Sequence, residues 1–322
     1  MKAPTILVTG ASGFVGRAVV ARLLHDGAIV RGALRGQHAS LPAGVRVFGG
    51  LNLGGVVDWS AALDGADTII HCAARVHVMR DASADPLAEF RRVNTGGTRE
   101  LARQAVAAAV RRFVYVSSIK VNGESTAPGQ PFRADDTPRP LDPYGISKHE
   151  AEQALGKLAT TTGMELVVIR PPLVYGPGVR ANFRSMMSWL RRGIPLPLGA
   201  IDNRRILVAL DNLCDLIVTC VQHPAAPGRT FLAGDGKDVS TTELLRRLGR
   251  ALGHPARLLP VPPGLLRAGL KLLGKGDIAQ RLCCSLQVDI SPARELLGWR
   301  PPISLDEGLR RAAAAFLEEP AR

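Results

Sequence analysis

An α/β fold, built as a doubly wound parallel sheet with a smaller C-terminal lobe, is predicted by three features of this 322-residue chain. Short apolar runs alternate with stretches of helical spacing, a glycine turn follows the first run, and the texture of the chain changes after Arg170-Pro171-Pro172. Near-continuous apolar strands separated by helices are the pattern of a parallel sheet buried on both faces. With 46% hydrophobic residues the chain carries enough apolar material for a large core.

The elements follow in order. Residues 5–9 form an apolar strand that runs into Gly10-Ala11-Ser12-Gly13-Phe14-Val15-Gly16, and residues 14–24 then show helical spacing that stops at Gly27. A second strand spans 28–34, and 68–72, 112–117 and 166–169 are further strands, each preceded by a helix or loop. Beyond residue 170, glycine, proline and arginine become frequent, with proline clusters at 195–197, 224–227 and 260–263. Residues 1–170 are therefore read as the sheet-forming domain, and 171–322 mainly as a smaller lobe that returns once to the sheet. The apolar stretch 265–273, with Arg267 and Lys271 interspersed, is read as a core helix, the second reading being weak contact with a membrane surface.

Composition excludes several classes. No uninterrupted apolar run is long enough to span a bilayer and no signal peptide precedes the first strand, so a cytoplasmic protein is expected. Five irregularly spaced cysteines fit reduced thiols, and without CxxC or HExxH a metal site has no support. The net charge of +13 would suit polyanions, but the basic residues come as spaced pairs and aromatics make up only 4% of residues. Nucleic acid is not expected as a partner. An anionic small substrate would use the same charge.

The glycine turn has the spacing GxxGxxG. Glycines allow tight backbone geometry there, main-chain N–H groups approach a pyrophosphate, and the following helix points its positive end at the phosphates. Residues 1–170 are thus expected to be an NAD(P)-binding, Rossmann-type domain. The end of the second strand selects the dinucleotide, since an acid there binds the adenosine ribose hydroxyls of NAD. Gly32-Ala33-Leu34-Arg35 holds no carboxylate, and Arg35 suits a 2′-phosphate, so NADP(H) is favoured over NAD(H).

Tyr144 and Lys148 carry the chemistry. Tyr-x-x-x-Lys puts a phenol and an ammonium one helical turn apart on one face, where the cation stabilises a phenolate. Bringing a tyrosine to neutrality takes about three units, on the order of 4 kcal/mol, from Lys148 and any further positive charge such as a nicotinamide cation.

Taken together, Gly10-x-x-Gly13-x-x-Gly16, His71-Cys72-Ala73-Ala74, Val93-Asn94-Thr95-Gly96-Gly97-Thr98, Tyr115-Val116-Ser117-Ser118, Tyr144-x-x-x-Lys148 and Arg170-Pro171-Pro172-Leu173-Val174-Tyr175-Gly176-Pro177 resemble the extended short-chain dehydrogenase/reductases. The resemblance spans nearly the whole chain and is strongest to their nucleotide-sugar epimerase/dehydratase group. It implies a catalytic set of Ser118, which orients the substrate oxygen, Tyr144, which moves the proton, and Lys148, which holds the nicotinamide ribose. It implies cofactor contacts at Gly10, Ser12, Gly13, Phe14, Val15 and Gly16, and at Ala73 and Ala74, where the dinucleotide runs past a strand end. Asn94 would brace the active-site backbone, and Pro171 and Val174 would line the nicotinamide pocket. For a UDP-sugar substrate it implies Asn182 and Arg205 at the diphosphate, with Ser118 at the sugar. A homodimer through helices near 89–109 and 150–160 follows by analogy.

Family members diverge in reaction. Dehydratases carry an Asp-Glu pair directly after the catalytic hydroxyl residue, whereas this chain has Ile119 and Lys120 there, which disfavours a 4,6-dehydratase. The absent ribose carboxylate and the stretches 117–124 and 142–148 resemble bacterial surface-polysaccharide (O-antigen) enzymes that reduce a UDP-4-keto-6-deoxy-N-acetylhexosamine at C4. That ketoreductase is the expected function. A UDP-hexose or UDP-N-acetylhexosamine 4-epimerase is the alternative, and a non-catalytic dinucleotide-sensing scaffold a third reading. Arg75, His77 and Lys120 are further candidates to reach the hexose.

Overall fold

Seven parallel strands form the central sheet of the computed structural model, which describes residues 3–36, 41–76 and 85–319. Strand β1 (Thr5–Thr9) is followed by α1 (Phe14–His25), β2 (Ile29–Ala33), β3 (Arg46–Phe48), α2 (Ser60–Leu63) and β4 (Thr68–His71). Next come α3 (Pro86–Phe90), a π-helical stretch Arg91–Gly97, α4 (Thr98–Ala107), β5 (Arg112–Val116), α5 (Pro143–Thr162) and β6 (Glu165–Arg170). The second half adds β7 (Leu173–Tyr175), α6 (Ala181–Arg191), β8 (Leu207–Ala209), α7 (Leu210–Gln222) and β9 (Arg229–Leu232). It ends with α8 (Thr241–Ala251), α9 (Pro263–Leu272), α10 (Gly276–Cys283), α11 (Ser291–Leu297) and α12 (Leu305–Glu318).

The strand order is β3-β2-β1-β4-β5-β6-β9, and β7 pairs with β8 in a separate two-stranded sheet. The chain moves outward from β1 to β3 and then returns to the other side of β1 for β4. That reversal opens a crevice at the carboxyl ends of β1 and β4, where Thr9 lies opposite His71.

Side-chain alternation sends each strand's residues to two cores. From β1, Ile6 and Val8 join Val19, Val20 and Leu23 of α1 and the apolar face of α7. Leu7 points the opposite way, into a layer with Leu101 and Ala105 of α4 and Ala151 and Leu155 of α5. Both faces are buried, which is why the strands read as continuous apolar runs. A third cluster, including Phe183, Met187, Leu248 and Phe316, fills the lobe.

Arg112 ties the halves together. Buried at the start of β5, its Nη1 donates to the carbonyls of Cys220 (2.8 Å), Val221 (2.7 Å) and His223 (3.1 Å) at the end of α7, and its Nε to Glu165 (2.6 Å). One guanidinium thereby satisfies the terminal carbonyls of a helix from the second half of the chain.

The core-helix reading of 265–273 is overturned. Helix α9 has no buried residue: Pro263, Leu266 and Leu270 are half-buried, and its other leucines turn outward. Among the described residues, no helix is long and apolar enough to cross a membrane.

Candidate active site

The turn after β1 shows why glycine is needed. Gly10 has φ +65°, and a Cβ there would lie 2.8 Å from the Ala73 backbone. At Gly16 a Cβ would come within 2.1 Å of the Gly10 carbonyl oxygen. The turn, the first helical residues and the loop after β4 therefore pack backbone against backbone. Gly13 caps α1 without any side-chain hydrogen bond, so the first-turn N–H groups have no side-chain acceptor there. Ser12 and Gly13 are exposed, while Phe14 and Val15 are half-buried against the core. The exposed rim of this turn at Ser12 and Gly13, where the first-turn N–H groups of α1 lie, suits a dinucleotide pyrophosphate, and half-buried Ala73 and Ala74 adjoin it.

His71 braces the same mouth. Its ring bridges the Thr9 hydroxyl (2.6 Å) and the Thr98 hydroxyl (2.9 Å), and burial together with the nearby charge of Lys148 pushes its pKa down to about 3. Neutral imidazole thus spans β1, β4 and α4.

Helix α5 delivers the Tyr-Lys pair. Its N-cap is Asp142, whose Oδ1 accepts from Gly145 N at 2.7 Å, with Pro143 in the first position. Tyr144 follows in the first turn and lies edge-on to Phe90 at 6.1 Å. Lys148 is fully buried, its Nζ donating to Val116 O at 2.7 Å and sitting 4.2 Å from the Tyr115 ring centre. Burial lowers Lys148 to about 7, opposed by the negative charge of Glu152.

The expected acidification of Tyr144 by its neighbour is not what the protein alone provides. Burial, then the charge of Asp142, pushes the phenol up to about 12, and the Ser118 hydrogen bond pulls the other way. The i,i+4 spacing brings the two groups to one face, but the ammonium is desolvated and spent on the Val116 carbonyl. Burial outweighs proximity.

Ser118 is buried at the carboxyl end of β5, accepts from Lys120 N at 3.2 Å and bonds Tyr144. Ser117 is also buried, and its hydroxyl lacks a partner. Asn94, buried in the π-helical stretch, donates to Arg75 O (3.0 Å) and Ser147 Oγ (3.0 Å) and accepts from Arg75 N (2.8 Å). It clamps the loop after β4 to α5, a use of irregular helix that recurs at functional sites. Pro171 is buried and accepts from Ile119 N at 3.0 Å, while Val174 in β7 is half-buried beside the main core. Arg35 is exposed just beyond β2.

Lys120 occupies the place of a dehydratase acid and makes ion pairs with Asp142 (2.5 Å) and Glu124 (2.9 Å). The charge of Glu124 also reaches Arg205, which is half-buried, donates to Cys284 O at 3.0 Å and has its pKa lowered, chiefly by desolvation. A line of alternating charge thus runs from the N-cap of α5 to Arg205. Sequence reasoning missed Asp142 and Glu124, although Asp-Pro ahead of a helical run is a legible N-cap signal. Asn182 is exposed on the first turn of α6, after Ala181 in a left-handed conformation (φ 52°). Arg75 puts its guanidinium over the Phe90 ring at 5.6 Å, and His77 lies outside the described residues.

The loop after Ser118 is sewn to the lobe. Thr126 N donates to Ser285 O (2.9 Å), Phe132 N to Gln287 O (2.9 Å) and Asp289 N to Phe132 O (2.8 Å). Beside these stitches a cavity of about 390 Å³ is lined by Ser125, Asn203, Arg267 and Cys284 among others. A larger hollow of about 980 Å³ between residues 55–65 and α4 carries none of the residues above.

A glycine turn at the switch point of a doubly wound sheet, with a serine beyond the end of β5 and a tyrosine and lysine on α5, defines an α/β enzyme of the short-chain dehydrogenase/reductase type. The chain belongs to the NAD dependent epimerase/dehydratase family, whose profile matches residues 6–234. A UDP-glucose 4-epimerase of Vibrio cholerae is 49% identical over 316 residues, covering 98% of this chain and 96% of that one. MoeE5, solved in complex with UDP-glucose and NAD, is 27% identical with a TM-score of 0.75 and covers 97% of this chain and 98% of that one. The UDP-glucuronic acid 4-epimerase of Bacillus cereus, solved with NAD, shares the fold at TM-score 0.77 and 20% identity, over 98% of this chain and 99% of that one.

Proposed function

We propose that the protein is a UDP-sugar 4-epimerase that retains a nicotinamide dinucleotide. The observation that carries this reading over the expected 4-ketoreductase is the 49% identity, across nearly the whole of both chains, to a UDP-glucose 4-epimerase. The gathering of Ser118, Tyr144 and Lys148 below the glycine cradle supports chemistry at a secondary alcohol.

Hydride exchange at C4 is the chemistry a dinucleotide bound in the cradle supplies. Tyr144 takes the proton from the C4 hydroxyl and returns it once the opposite configuration has formed, and Ser118 holds that oxygen. Lys148, on the same helix face, grips the nicotinamide ribose. Desolvation holds the phenol up at about 12, so an added positive charge beside it would favour the phenolate needed near neutral pH. Arg205, with Asn182, holds the UDP diphosphate. Its planar fork meets two phosphate oxygens at once.

The 4-ketoreductase stays as a second reading because of Arg35, an exposed cation where a ribose-binding carboxylate stands in NAD enzymes. The test is to incubate purified protein with UDP-glucose or UDP-N-acetylglucosamine and to follow the C4 epimer by NMR. Epimer formation without net cofactor consumption supports the proposal. Stoichiometric NADPH oxidation by a UDP-4-keto-6-deoxy-N-acetylhexosamine, with no epimerisation, replaces it by the reductase. Arg35→Glu then reports on the cofactor: a reversed NADP-to-NAD preference assigns Arg35 to the 2′-phosphate, and an unchanged ratio removes it.

A further inference from the structure

We propose that the outer face of α9 docks the protein on an anionic lipid surface. Leu265 is 68% exposed and Leu272 89%, with Leu273 just past the helix 70%, an exposure of large apolar side chains that no other helix repeats among the described residues. Leu265 and Leu272 are seven residues apart and so share one face, while Leu266 and Leu270 face the body. Exposed Lys271 flanks the leucines and exposed Lys275 and Arg281 follow, while Arg267, also exposed, bonds Cys283 of α10. From residue 257 to 281 the sequence holds one acid, Asp277, against five basic residues.

Exposed leucines bordered by cations are complementary to a bilayer carrying negative headgroups: the leucines enter the acyl boundary and the cations meet phosphate. A second copy of this chain is a poor occupant, since it would bring the same basic rim and a formal charge of +13 against its like. Pro263 and Arg267 of the same helix line the cavity on its other side. None of this depends on which sugar the enzyme uses.

The test is flotation of the full-length protein with phosphatidylcholine vesicles and with vesicles containing about one-third phosphatidylglycerol. The wild-type protein is expected to float with the anionic vesicles alone. A Leu265→Glu/Leu272→Glu variant should lose at least about tenfold in partitioning, and Lys271→Glu several-fold. Arg300→Glu, an equal change of charge at an exposed site outside the segment, should float like wild type. No binding of the wild type to either vesicle overturns the proposal. So does an equal loss in Arg300→Glu and Lys271→Glu, which would reduce the effect to net charge, and so does a wild-type oligomer that Leu272→Glu disperses, which would make the face a contact between copies. Matched thermal melting curves exclude misfolding of the variants.

Discussion

Replacing Lys148 by methionine should make the protein more stable while destroying its activity. The ammonium is 1% exposed and its pKa falls from an ordinary 10.5 to about 7, with burial the largest cause. Between these values the unfolded chain binds a proton that the folded protein does not, so this lysine's contribution to stability rises with pH from about 7 to about 10.5. Below pH 7 its burial costs the full difference, about 5 kcal/mol. Methionine fills similar volume without charge but leaves the Val116 carbonyl without its 2.7 Å donor, a loss of about 1–3 kcal/mol. The net gain expected near pH 6 is therefore about 2–4 kcal/mol. The gain should shrink as pH rises toward 10, where wild-type Lys148 is neutral in the folded protein and so no longer carries a buried charge, although the unfolded chain is still mostly protonated there. Urea unfolding of both proteins at pH 6, 8 and 10 gives the difference directly, and effects of the buried tyrosines largely cancel in it. A variant less stable than wild type at pH 6, or a difference that does not change with pH, would refute the argument that burial dominates at this position.

Three further outcomes follow from the geometry. Tyr144→Phe should lower kcat by roughly a hundred- to ten-thousand-fold while dinucleotide binding, read by fluorescence titration, is kept. Gly16→Ala, which forces a Cβ to within 2.1 Å of the Gly10 carbonyl oxygen, should weaken dinucleotide affinity at least about tenfold with the circular dichroism spectrum preserved. Arg112→Met leaves the carbonyls of Cys220, Val221 and His223 without their shared donor and Glu165 without one of its cations, and should cost about 3–5 kcal/mol by urea unfolding.

The sheet was legible where burial is two-sided. Strands β1, β4 and β5 lie at its centre and read as apolar runs because both faces are covered. The edge strands β3, Arg46–Phe48, and β9, Arg229–Leu232, are short and carry arginine or threonine, so only a neighbouring strand defines them. Tyr144 and Lys148 were found from spacing alone, since i,i+4 places side chains on one helix face. Their protonation was not, because it depends on burial and on Asp142 and Val116 as neighbours. The leucines of α9 misled for a related reason: spacing marks a face but does not say whether it turns inward. The Arg205 guanidinium bonds Cys284 and feels the charge of Glu124, residues far along the chain that no local pattern connects to it.

The stitching between residues 126–132 and 285–289 bears on how such an enzyme can be re-engineered. Gln287 N donates to the Thr126 hydroxyl across 161 positions of sequence, so the loop that follows Ser118 and a segment late in the polypeptide share one seam. Transplanting a relative's sugar preference by swapping that loop alone would tear the seam. A working chimera has to exchange both borders together, and crossover points for recombination libraries belong outside them.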